Sequence, residues 1–231
     1  MPAIRKSKWI WDGLAGTEEE ALRAEAALGR EAAIEIRALT APVEDATLVG
    51  LANEVCQRLT ACVRENRRHF QCEVIQDNSP HALALPGGLV FVSNSLCDFC
   101  ERHPDELAFV IGHEMAHVIR GHVWERMLNE TTLRVVSAIS ARAGGLGVWF
   151  RQKGIGLLRS AYTSESELEA DELGWRLAAA AGFAPSGSVA FLQRIGRLRR
   201  TPAELGQYFG SHPPAAERLG RLALLVRQVS A

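Results

Sequence analysis

Residues 104–122 read PDELAFVIGHEMAHVIRGH, and the rest of the chain is best understood outward from this stretch. Pro104 suits the first turn of a helix, where a missing N–H costs nothing, and Asp105 and Glu106 follow where the helix dipole favours acids. The apolar run from Leu107 carries no breaker, so a helix is predicted from Pro104 through His122 and on towards Met127. Inside it lies His113-Glu114-Met115-Ala116-His117, an HExxH. Residues four apart on a helix stand one turn above the other. Both imidazoles therefore reach one ion at about 2.0–2.1 Å, with Glu114 beside a water on that ion. The competing reading is a core helix with two satisfied histidines. Burying His, Glu and His unpaired among Phe109, Val110, Ile111, Val118 and Ile119 is expensive, which favours the metal.

A zinc ion needs a third protein ligand. The extended zinc motif that places Gly three and His six residues after the second histidine fails, because those positions are Arg120 and Val123. His122 lies nine residues from His113, on the opposite side of a straight helix, and reads as a structural or supporting histidine. Residues 164–174, SESELEADELG, hold a better candidate. On a helix, Glu165, Glu169, Glu172 and Arg176 share one face, which reads as solvated. Glu167, Ala170, Asp171 and Gly174 share another, and the small Ala170 and Gly174 let a second helix approach closely. Glu167 is then placed to ligate the metal, and Asp171, one turn later, to hydrogen-bond the far nitrogen of a histidine ligand. A merely acidic, solvated helix is the alternative on spacing alone.

Upstream, the period changes from helical to alternating. Residues 17–33, rich in Ala, Glu, Leu and Arg, predict a helix with Thr17 and Glu20 as a capping box, and residues 43–66 predict a second. Phe70, Cys72, Val74 and Ile75 suggest a strand, His81 to Leu85 a second, and Leu89 to Val92 a third, with Pro86-Gly87-Gly88 turning between the last two. Further helices are expected over 131–142, 165–181, 187–198 and 214–226. The fold class is α+β and mainly helical, with a small sheet: an N-terminal helical extension over 1–42, then one catalytic domain over 43–231.

Taken together these stretches resemble the HtpX-like and CAAX-prenyl-protease type of gluzincin metallopeptidases, and within it the soluble core of the mitochondrial Oma-type stress protease. The resemblance rests on the HExxH with His five residues on, and on Glu167-x-x-Ala170-Asp171-x-x-Gly174. It rests also on ALALPGGLVFV at 82–92, and on His212-Pro213 followed by Arg218-Leu219. It implies a zincin-like fold whose edge strand borders the cleft, one zinc ion on His113, His117 and Glu167, and Glu114 as base. It also implies that His212 and Arg218 lie near the cleft, where either could orient a carboxylate or stabilise an oxyanion. The expected activity is zinc-dependent endopeptidase hydrolysis of unfolded or flexible protein segments by a zinc-activated water. An extended substrate would add to the strand of His81, Ala82, Leu83, Ala84 and Leu85. A catalytically silent zinc scaffold that holds unfolded chains is the alternative, disfavoured by the intact Glu114. This sequence departs from the family in carrying His81 where the family has asparagine, and in lacking the transmembrane segments of several branches. The apolar Val148-Trp149-Phe150 is a candidate lid or peripheral membrane contact, or simple core packing.

Composition narrows the partners. The 231 residues are 47% hydrophobic and 23% charged, ordinary for a folded domain and wrong for a disordered one. A net charge of −1 removes the electrostatic footprint of a nucleic-acid binder, and Arg194, Arg197, Arg199 and Arg200 read as a solvated or salt-bridged face. No run reaches the roughly 18–20 apolar residues of a membrane span; the nearest, Val135 to Phe150, is interrupted by Arg142. Met1 to Leu14 hold no signal-like apolar stretch, so as written the chain reads as cytoplasmic. Five cysteines argue against a secreted disulfide framework, and Cys97 and Cys100 read as a buried, inert pair.

Overall fold

A computed structural model describes residues 18–64, 67–128, 162–197 and 215–229. The N-terminal helix, α1 (Glu18–Leu39), outruns the predicted 17–33 because Glu35 and Ile36 continue its buried stripe. Its partner in the capping box, Thr17, lies outside the described residues, as does the segment 131–142. A two-residue strand unforeseen in the sequence, β1 (Ala41–Pro42), leads to α2 (Ala46–Ala61), whose start is set by the Asp45 side chain accepting from the Leu48 N–H. Then come β2 (Gln71–Gln76), β3 (Ala82–Ala84), β4 (Leu89–Ser93) and the short α3 (Asn94–Phe99).

The four strands form one sheet in the order β1-β2-β4-β3. Pairing is antiparallel between β1 and β2, parallel between β2 and β4, and antiparallel between β3 and β4. The Pro86-Gly87-Gly88 turn joins β3 to β4 as predicted, and β3 stands at the edge.

The central helix, α4 (Pro104–Ile119), is apolar on every side, and a helix of that kind is stable only when covered all round. It packs against α2, β3, β4, α6 (Ser164–Ala180) and α7 (Ser186–Gly196). The predicted continuous helix through His122 is not what forms: α4 stops at Ile119, and α5 (His122–Leu128) starts afresh. The cause is Gly121, whose φ of +80° is a left-handed conformation that ends a helix. The last described helix is α8 (Ala215–Val229).

The approach of α4 and α6 is set by glycine. A Cβ on Gly174 would stand 2.6 Å from the His113 backbone nitrogen, and one on Gly112 2.9 Å from the Gly174 carbonyl oxygen. The small-residue face predicted for residues 167–174 is the face that α4 meets. One hydrophobic cluster runs through the helices and through β2, β3 and β4, and it includes Ala21, Leu28, Ala32, Ala33 and Ile36 of α1. Among the described residues no helix is long and apolar enough to cross a membrane.

Candidate metal centre

His113 and His117 stand one turn apart on α4, with their Nε2 atoms 3.1 Å from each other. Glu167 of α6 faces them both, Oε2 at 3.4 Å from His113 Nε2 and Oε1 at 3.4 Å from His117 Nε2. All three side chains are fully buried. Ligand atoms of these three residues lie within 4.8 Å of one another, and among the described residues this is the one group of His, Cys, Asp and Glu that meets so closely.

What stands behind the ligands fixes their protonation. His113 Nδ1 is 2.9 Å from Asp171 Oδ1. Asp171 in turn accepts from Arg218 Nε at 2.8 Å and from Nη2 at 2.6 Å. Burial alone would raise the Asp171 carboxyl, but the Arg218 charge and its hydrogen bonds outweigh that and hold it well below the usual carboxylate range. On the other histidine, His117 Nδ1 lies 3.1 Å from His122 Nδ1. Burial pushes His122 down to about 4, with the nearby Arg120 adding to the shift, so its ring is neutral and Nδ1 can accept. His122 Nε2 lies 3.5 Å from Glu169 Oε2. The supporting role read for His122 depends on the break at Gly121, which starts α5 at this residue.

With Nδ1 donating in both rings, two Nε2 lone pairs and the Glu167 carboxylate would converge, and a positive charge between them would relieve their repulsion. The N, N, O donor set of this cluster fits zinc.

Residues 51–225 match the model of Peptidase family M48. This chain belongs to that family. The M48 match spans the two histidines, Glu114, Glu167, Asp171 and Arg218. The chain is 28% identical over 183 residues to the metalloprotease LoiP of Escherichia coli K12, covering 75% of this chain and 71% of LoiP. It is 25% identical over 174 residues to the mitochondrial metalloendopeptidase OMA1 of Schizosaccharomyces pombe, covering 74% of this chain and 50% of that protein. With the beta-barrel assembly-enhancing protease of Yersinia pestis it shares 26% identity over 210 residues, 84% of this chain and 42% of the relative. It therefore spans about half the length, or less, of the latter two.

Around this cluster the remaining predicted residues fall into place unevenly. Glu114 is buried, and its Oε2 accepts the Ala84 N–H of β3 at 3.0 Å. Arg218 is buried, and its Nε and Nη2 donate to the Asp171 carboxylate behind His113; of the two roles the resemblance allowed it, these contacts correspond to orienting a carboxylate. His81 donates its backbone N–H to Ser93 Oγ and turns its ring Nδ1 to the Ser79 carbonyl. His212 and Val148, Trp149 and Phe150 lie outside the described residues. Cys97 and Cys100 are free thiols in the core, and burial pushes the Cys97 thiol up to about 12. Arg194 pairs with Glu101 and Glu106, in keeping with a salt-bridged face.

Two neighbours of the site have no signature in the sequence. The Tyr162 ring stacks on His117, with centroids 3.8 Å apart and planes 15° from parallel. The Arg126 guanidinium lies 3.6 Å over the other partner of that stack, the Tyr162 ring centroid, and its Nη2 donates to the phenol oxygen. Tyr162 precedes the capping Thr163 of α6 and Arg126 sits in α5, so only the packing of these elements brings them to His117.

Proposed function

We propose that this chain is a zinc-dependent endopeptidase that cuts unfolded or flexible protein segments, with Glu114 as general base and His113, His117 and Glu167 holding one zinc ion. Zinc, when bound, supplies Lewis acidity that lowers the pKa of water and polarises a carbonyl. The observation that carries the reading is the hydrogen bond from Ala84 to Glu114, which joins the base to the edge strand at the ligand cluster. Through it Ala84 orients the carboxylate, leaving Oε1 as the oxygen that takes a proton from water and returns it to the leaving nitrogen. Asp171 and His122 keep both ligand rings turned with Nε2 inward.

The edge strand supports an extended substrate. Ser93 donates to the His81 carbonyl and Leu85 donates to the Leu89 carbonyl, so these residues face β4. By the alternation of an antiparallel pair, the main chain of Ala82 and the carbonyl of Ala84 turn outward, while the Ala84 N–H is taken by Glu114. A substrate added as a further strand would be read through its backbone, which favours unfolded segments over compact domains. We propose His212 as the oxyanion donor and a role in protein quality control or processing.

The test is cleavage of an unfolded protein by wild type and Glu114→Gln at matched zinc content. The expected result is a loss of about 10²–10⁴-fold in kcat/KM with zinc retained. Equal cleavage by both would remove Glu114 as base, and no cleavage by either zinc-loaded protein would favour the binding scaffold.

A further inference from the structure

The M48 match begins at residue 51, so α1 lies outside it. Yet α1 grips the hairpin that carries the edge strand. We infer that α1, through Glu25, positions β3 for substrate and for Glu114, an inference that rests on the strand-addition reading above.

Glu25 is 1% exposed. Its carboxylate meets two partners that belong to different parts of the chain. Arg68, just before β2, forks onto it with Nε 3.0 Å from Oε1 and Nη2 2.9 Å from Oε2. The main-chain N–H of Gly87, at the tip of the β3–β4 turn, donates to Oε1 at 3.1 Å. The turn is seated hard against the same face of α1: a Cβ on Gly29 would stand 1.8 Å from the Pro86 carbonyl oxygen, and one on Gly87 2.9 Å from the Ala26 Cα. On the far side, the Gln71 N–H holds the Gly88 carbonyl at 3.2 Å. The hairpin tip is thus clamped between α1 and the lead into β2, and the Glu25–Arg68 pair closes the clamp.

Stability alone does not explain a charged clamp. A buried ion pair is worth no more than well-packed apolar residues of similar volume; what it adds is a defined geometry. Three residues back along the strand from Gly87 is Ala84, the residue that holds Glu114. At about 3.3 Å per residue, a tip displaced by an ångström moves the Ala84 N–H by an appreciable part of a hydrogen bond. Glu25 acts through Gly87 and β3 and is a positioning residue.

The experiment compares the zinc-loaded full chain with two double variants. Glu25→Leu with Arg68→Met removes the pair without stranding a charge and removes the acceptor for Gly87. Glu25→Gln with Arg68→Met also removes the pair but keeps a carbonyl oxygen for Gly87. Amide hydrogen exchange of residues 82–88 and KM for a long unfolded peptide and for a short one are measured alongside zinc affinity. The Leu/Met variant is expected to exchange the Ala84 amide faster and to raise KM for the long peptide about tenfold, the worth of one good hydrogen bond. Zinc affinity and KM for the short peptide should stay unchanged, and the Gln/Met variant should recover most of both losses. Unchanged exchange at Ala84 in the Leu/Met variant, or equal loss on long and short peptides, overturns the inference. A wild type that does not distinguish long from short peptides instead sinks the strand-addition reading, while the exchange result still decides whether Glu25 positions β3.

Discussion

Asp171 accepts from His113 on one side and from two nitrogens of Arg218 on the other, with every one of these groups buried. Removing the cation leaves a carboxylate in the core with a histidine as its remaining named donor. Arg218→Met is therefore expected to destabilise the fold by about 3–5 kcal/mol. It should also weaken zinc binding about 10–100-fold, read by competition with a chelator. Unchanged zinc affinity in a folded Arg218→Met protein would show that the pair serves packing alone. The Tyr162 stack makes a second prediction at this scale. Tyr162→Leu loses a ring-on-ring contact worth about 0.5–1.5 kcal/mol, so zinc should leave His117 several-fold more readily, whereas Tyr162→Phe keeps the stack and should behave as wild type. Identical chelator competition curves for Leu and Phe would refute it. That His113 pairs with His117, and Glu167 with Asp171, was legible in the sequence because each pair lies one turn apart on one helix. Arg218 was legible as a residue near the site but not as the partner of Asp171, and Tyr162 was not legible at all.

Helices α4 and α6 touch through backbone, and the ligand distances depend on that. Gly174→Ala places a methyl group 2.6 Å from the His113 nitrogen, and backbone cannot rotate away as a side chain can. We expect a loss of about 1–3 kcal/mol and weaker zinc binding, since Glu167 would be carried away from both histidines. Gly50→Ala on α2 is the control: nothing lies within 4 Å of its Cβ, so helix propensity should stabilise the protein by roughly 0.5–1 kcal/mol. Thermal midpoints that move the same way in both variants would contradict the close-approach argument. The start of α2 offers a pH test. The Leu48 N–H and Arg102 hold the Asp45 carboxyl below its ordinary value of 3.8. A depressed carboxyl contributes stability above its unfolded pKa and loses it as pH falls. Asp45→Ala should therefore have a lower midpoint than wild type at neutral pH, and the difference should close as pH falls below about 4. A difference that persists at pH 2 would show that the ionised cap is not its source. Of the elements, the helix restart at His122 escaped the periodicity because Gly121 is an unremarkable residue until its φ is known.

Across the whole molecule, the N-terminal extension shares the core of the rest. Ala21, Leu28, Ala32, Ala33 and Ile36 belong to the same cluster as the sheet and α4, β1 completes the sheet, and Arg37 forks onto Glu73 of β2. A chain beginning at residue 43 is expected to lose its cooperative thermal transition and its zinc. A truncated protein with a wild-type transition by circular dichroism would show that residues 1–42 are dispensable to the fold. Composition and periodicity could not settle this, because an amphipathic helix has the same pattern whichever partner covers its stripe.

What is local follows from the order of the residues alone. The four-residue step of HExxH, the shared phase of Glu167, Ala170, Asp171 and Gly174, and the Pro-Gly-Gly turn are consequences of helix and turn geometry, which the covalent chain carries everywhere it goes. What is distant was settled by how the chain packs. Packing chose that Glu167 reaches histidines some fifty residues away, that Arg218 answers Asp171, that β2 lies parallel to β4, and that Glu25 holds Gly87. Those pairings depend on which surfaces exclude water from one another, and that is a property of the packed chain and of no single segment.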